Sequence, residues 1–325
     1  TGVQNTLIGG LAGDAITTGH SSTALGYNAL STSTTAVANT ALGHSAGEDL
    51  TTGDRNVLVG NIAGANLTTA DDATLIGYGA GGGAILTGHD NVGVGTNALN
   101  LNTSGASNVA VGRGALEANT TASNNVAVGK NALGANTTGA NNAAVGRESL
   151  LSNTTGASNV AFGSTSLDAN TSGSFNTALG QASLGANTTA SNNTAVGYGA
   201  MLLSTTGSQN VAIGSLALDA NTVASNNVAV GYSSLTDNTT GESNSAMGYA
   251  SLASNTTGGS NVALGFAALT SNITGSRNVS VGNESLQKTT VNNNTAVGFQ
   301  ALEENTTGTQ NVAVGTYALD ENTTA

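Results

Sequence analysis

The sequence predicts an all-β chain, a parallel β-solenoid of 19 coils of about 17 residues, on three observations. A glycine recurs at near-constant spacing from one end of the chain to the other. The residues leading up to it alternate with period two, as a strand does. No segment carries the helical period over ten residues, and Asn, Thr, Ser and Gly are poor helix formers.

The recurring glycines run from Gly9, Gly26 and Gly43 through Gly112, Gly129, Gly146 and Gly163 to Gly315, 19 in all. Of their 18 intervals, 16 are 17 residues; Gly77 to Gly95 is 18 and Gly282 to Gly298 is 16. Self-similarity at a short fixed period is the signature of a solenoid. A coil this short has no room for a strand, a crossover helix and a return. Each repeat is therefore one coil, with like residues stacked about 4.8 Å apart along the axis. The chain reads as one solenoid, with glycine-rich variant repeats over 1–90 and regular Ala-Leu and Asn-Thr-Thr repeats over 91–325.

Within a coil the elements follow in order. Asn stands four before the glycine in 17 repeats, Ser22 and Ala73 being the exceptions, and forms a first row that includes Asn108, Asn125, Asn142 and Asn159. Stacked Asn side chains hydrogen-bond along an axis as in fibril ladders. The strand comes next. Its last residue is apolar in all 19 repeats, and the residue two earlier is β-branched in 17, as strands prefer. The glycine then makes a corner requiring positive φ or close backbone approach. Ala or Ser always stands three after it, a site of close approach. The next residue is a core Leu in 14 repeats, Met201 once, and Gly13, Gly47, Gly64 and Gly81 in the rest. In three of those four repeats Ile16, Leu50 and Leu67 follow three places later and are expected to supply the missing volume. A second asparagine row includes Asn119, Asn136, Asn153 and Asn170, mostly followed by Thr. One coil buries too few apolar side chains to offset its own backbone entropy, so stability comes from neighbours and stacking bonds.

Composition excludes several classes. The 18 acidic and 6 basic residues give a net charge of −12, which disfavours nucleic acid and anionic membranes. No apolar run approaches the roughly 20 residues of a membrane-spanning helix, so no membrane insertion is expected. There is no Cys, hence no disulfide framework and no thiolate zinc site. Thr at position 1 points to a processed or excerpted chain.

The segments Asn108-Val109-Ala110-Val111-Gly112 and Asn210-Val211-Ala212-Ile213-Gly214 resemble the head repeats of YadA-like trimeric autotransporter adhesins. Asn193-Thr194-Ala195-Val196-Gly197-Tyr198 and Asn294-Thr295-Ala296-Val297-Gly298-Phe299 are similar to repeats of some phage tail fibres. The adhesin resemblance implies a left-handed parallel β-roll, usually trimeric, displayed outside the cell. This repeat is a few residues longer than that of the adhesins, and no heptad stalk or membrane anchor accompanies it.

Candidate sites are few. His20 and His89 share a phase but lie four coils apart, too far to share a metal, and with His44 they read as surface residues. Acidic residues collect in the turn after the Leu, at Glu117, Asp168, Asp219, Glu303, Glu304, Asp320 and Glu321; solubility explains them, since hard cations want several oxygens at one point. Asn-x-Thr sequons such as Asn119-Thr120-Thr121 coincide with the second asparagine row. Tyr232, Tyr249 and Phe266 follow consecutive corner glycines and should stack. No catalytic Ser, His and Asp set recurs at a fixed phase, and no enzyme activity or cofactor is expected.

The expected function is a self-assembling extracellular fibre or matrix subunit whose partner is the same chain. The alternative is an adhesin or a virion fibre shaft that binds a cell surface or glycan; ice binding by the threonine rows ranks below both. The two apolar faces of the strand should both be covered, with the small residues Ala110, Ala127, Ala212 and Ala229 meeting another chain laterally. Thr1 and Gly2 share repeat phases with Thr324 and Ala325, so these residues are expected to form an axial, head-to-tail interface.

Overall fold

A computed structural model describes residues 2–324; Thr1 and Ala325 of the expected axial interface lie outside them, while Gly2 and Thr324 are exposed. The chain divides into two compact units, Thr1–Ser164 and Thr165–Ala325. Each is a parallel β-solenoid, as the period predicts. The first contains ten three-residue strands, from β1 (Thr6–Ile8) to β10 (Val160–Phe162). The second contains nine, from β11 (Thr177–Leu179) to β19 (Val312–Val314). The described residues contain no helix.

Pairing is in register at the repeat interval: Val109 pairs with Val126, and Val211 with Val228. The two irregular coils keep this register, Thr74 pairing with Val92 and Val279 with Thr295. The composition change near residue 90 therefore lies inside an unbroken ladder. Backbone bonds join coils outside the strands too, as in Leu133 N–H to Ser149 O and Thr137 N–H to Thr154 O, each at 3.0 Å. Most of the coil's backbone is satisfied by neighbouring coils, so a 17-residue turn of chain with only three strand residues is a stable module.

The strand faces are the reverse of the sequence expectation. Ala110, Ala127, Ala212 and Ala229 are each 0% exposed, inside their own coil, and cannot meet another chain. The flanking residues point outward: Val111, Val126, Ile213 and Leu264 are exposed. Period two places Val and Ala on opposite faces, and the interior takes the smaller one. It is narrow, already holding the Leu row and both asparagine rows, all fully buried over most of the chain. Where the Leu row is present a small side chain fits between them; beside Gly64 and Gly81 the same strand position holds buried Leu58 and Leu75.

The corner glycines conform to expectation. Gly112, Gly129, Gly146 and Gly163 have φ of 133°, 133°, 137° and 142°. A Cβ on Gly129 would lie 2.4 Å from the Gly146 carbonyl oxygen of the next coil. The sequence did not announce a second feature: the core Leu itself is left-handed, Leu133 at φ 51° and Leu150 at 50°. Its left-handed backbone costs about 1–2 kcal/mol, and burying its side chain returns about 1.5–3 kcal/mol, so the side chain wins. Gly47, Gly64 and Gly81 occupy the same position at φ 61°, 56° and 57°, without that cost.

Candidate functional surfaces

The asparagine rows are built from the coil outward, and they differ. In the first row the side-chain oxygen accepts the backbone N–H of the next coil's Asn, as Asn108 Oδ1 does from Asn125 N at 3.0 Å and Asn125 Oδ1 from Asn142 N at 2.9 Å. Its Nδ2 donates to a carbonyl across the coil interior, Asn108 to Ala122 O and Asn142 to Gly156 O, both at 2.9 Å. Asn159 continues the row, accepted by Asn142 Oδ1 at 2.9 Å. In the second row the bonds run side chain to side chain. Asn136 Nδ2 donates to Asn119 Oδ1 at 3.0 Å and Asn153 Nδ2 to Asn136 Oδ1 at 2.8 Å. Asn153 also donates to Gly156 O and Asn170 to Gly173 O, at 2.9 and 3.0 Å. Every one of these amides is buried, where an unpaired polar group would cost about 1–3 kcal/mol.

Burial also answers the sequon question. Asn119 is fully buried, and its Nδ2 is bonded to Asn102 Oδ1 at 2.9 Å and Ala122 O at 3.0 Å. A glycan on that nitrogen is incompatible with the folded coil. The Thr that follows has its hydroxyl turned into the stack as well: Thr120 and Thr137 donate to the carbonyls of Thr137 and Thr154 at 3.0 Å. Thr121 and Thr138, one residue on, are exposed.

Other predicted residues fall on the surface. His44 stacks on Tyr27, with ring centroids 5.5 Å apart. His20 Nδ1 lies 3.2 Å from Ser21 Oγ, and His89 Nδ1 accepts the Asp71 N–H at 3.0 Å. No group of three His, Cys, Asp or Glu side chains among the described residues could hold a metal ion. Arg55 bonds Asp72 through two nitrogens at 2.7 Å, and this hydrogen bond holds the Asp72 carboxyl below its ordinary range. Burial pushes the Asp219 carboxyl up, opposed by the bond it accepts from Thr236. Tyr232, Tyr249 and Phe266 stack as expected, with centroids 5.5 and 5.2 Å apart and planes within 13° and 9°. Their faces cover one another along the axis, so solvent meets mainly ring edges.

Two surface features remain, one expected as apolar but assigned to the wrong row of residues, the other not read from the sequence. The first is the outer strand face: its two rows contain no charged residue in any of the 19 repeats. Within each unit it is a continuous apolar and threonine strip that includes Leu25, Leu42, Phe162, Leu179 and Met247, all exposed. The second is a basic line. Arg113, Lys130 and Arg147 each follow a corner glycine in three consecutive coils, all exposed. The signal was present as half of the chain's 6 basic residues at one repeat phase, but that phase varies too much elsewhere to read as a site. Beside it opens a shallow notch of about 450 Å³ lined by Leu101, Glu117, Asn131, Gly134 and Leu151.

No family model matches the chain, and no curated protein matches it.

Proposed function

We propose that the chain is a structural, self-assembling subunit of an extracellular fibre or matrix. The observation that carries this reading is the sameness of the coil. Each repeats a nearly identical set of buried amide and backbone bonds, and its two edges carry matching rows of donors and acceptors. Coil can stack on coil head to tail through the same bonds that join neighbours within a unit, and such a heterologous contact that does not close gives a filament. The uncharged outer strand face supports side-by-side contact between filaments, because soluble chains rarely leave a long apolar strip open. The extracellular setting rests on the resemblance to adhesin and fibre repeats.

Electron microscopy of the purified chain over a range of concentrations tests the proposal. Uniform filaments that lengthen with concentration, with an axial reflection near about 4.8 Å, are the expected result. Isolated particles of one size at every concentration would favour the binding-module alternative and end the fibre reading.

A further inference from the structure

We propose that Arg113, Lys130 and Arg147 form an axial stripe that binds a linear acidic polysaccharide with a carboxylate on each sugar. The three side chains sit at one phase of consecutive coils, so their backbones are spaced about 4.8 Å apart along the axis. Like charges stacked at one turn position of neighbouring coils repel, and the chain has only 6 basic residues to place. Nothing inside the protein accounts for three of them here. Arg113 and Lys130 have no ion-pair partner among the described residues, and Arg147 meets only its own neighbour Glu148, at 2.6 Å. The row is flanked by corner glycines without side chains, so a ligand can approach closely.

The notch beside the stripe selects sugar over other polyanions. Lys130 is joined directly to Asn131, which lines the notch with Glu117. An amide and a carboxylate suit the hydroxyls of a pyranose, and Leu101 and Leu151 offer apolar walls to its carbon face. Thr96 and Ser164, at the stripe's phase in the coils to either side, provide no aromatic platform on which a nucleic-acid base could stack. The net charge of −12 opposes a polyanion at long range, but at physiological salt that repulsion is screened beyond about 8 Å. The stripe therefore works by contact. This inference stands apart from the fibre reading, since either a filament or a single chain can carry the stripe.

The test is binding of a fluorescently labelled oligogalacturonate to the full chain by anisotropy. The unaltered protein should bind, and with two to three cations engaged its affinity should fall about 5- to 20-fold for a threefold rise in salt. A triple variant, Arg113→Ser, Lys130→Gln and Arg147→Ser, introduces residue types that this row holds elsewhere, at Ser164 and Gln181; it should keep its circular dichroism and lose binding. Arg277→Gln removes a cation from another row and should leave binding unchanged. The proposal is overturned if the unaltered protein does not bind, if the triple variant binds as well, or if Arg277→Gln loses as much. It is equally overturned if a neutral maltooligosaccharide or an oligothymidylate binds as tightly.

Discussion

Glycines that look interchangeable in this sequence hold two different kinds of position. The corner glycine at Gly129, with φ of 133°, occupies a region open to glycine alone, and the next coil's carbonyl blocks any Cβ. Gly114, with φ of 66°, sits where other coils place Asn131 at 57° and Glu148 at 59°, and a Cβ there would meet only side-chain ends of Asn131 and Glu117. Gly129→Ala should destabilise by about 2–4 kcal/mol, while Gly114→Asn should stay within about 0.5 kcal/mol; chemical denaturation distinguishes them. A gap in the second asparagine row makes the opposite kind of prediction. Ser204 interrupts it, leaving buried Asn187 Oδ1 without a hydrogen-bond partner and Asn221 Nδ2 with a long 3.3 Å bond to Ser204 Oγ. Ser204→Asn should close this gap and raise stability by about 1 kcal/mol, seen as a higher denaturation midpoint.

The coil is the element, and its interior is a trade between two positions. Where the left-handed position holds Leu, the second-row position holds Asn in all but the Leu30 and Leu286 coils, as in Leu133 and Asn136. In two of the four coils where it holds Gly, the second-row position holds a fully buried Leu, Gly47 with Leu50 and Gly64 with Leu67. A Cβ on Gly47 would lie 2.6 Å from Leu58 Cδ1, and one on Gly64 would lie 2.8 Å from Leu58 Cδ2, so the strand's own Leu takes part of the vacated space. Asn136→Leu alone should cost about 2–4 kcal/mol, because it overpacks the interior and strands the Asn119 oxygen. Adding Leu133→Gly should recover part of that loss, a favourable coupling of about 1–3 kcal/mol in a double-mutant cycle. The period, the corners, both amide rows and the volume compensation at Leu50 and Leu67 were legible because each repeats with its chemistry intact. The inside of the strand was not. Val and Ala are both apolar, so alternation identifies two faces without saying which is in; the narrow interior decides. The left-handed Leu was hidden for another reason: Leu rarely adopts that conformation, and only the burial of its side chain offsets the cost.

At the scale of the molecule, the lateral contact of the proposed fibre is assigned to the outer rows and not to the alanines, which are buried. The chain has 24 charged residues and places none in the two outer strand rows. Solvation alone would be served by a few lysines or glutamates there, as on the exposed face of an ordinary antiparallel sheet. Their absence over successive coils keeps the face able to pack dry against a second copy, whose rows repeat at the same coil spacing. Val126→Lys with Val128→Lys in the first unit, and Leu179→Lys with Met247→Lys in the second, put charge on this face without touching the buried amides. The proposed fibre predicts that the unaltered protein bundles, and that sedimentation and microscopy of these variants show filaments of single width with the axial coil spacing retained. Bundles that survive all four substitutions would mean that another surface makes the lateral contact. Ala127→Lys must behave differently. Its side chain would enter the interior, fully buried and without a partner, where a charge costs several kcal/mol. It should lower the denaturation midpoint of the coil stack itself instead of separating intact filaments.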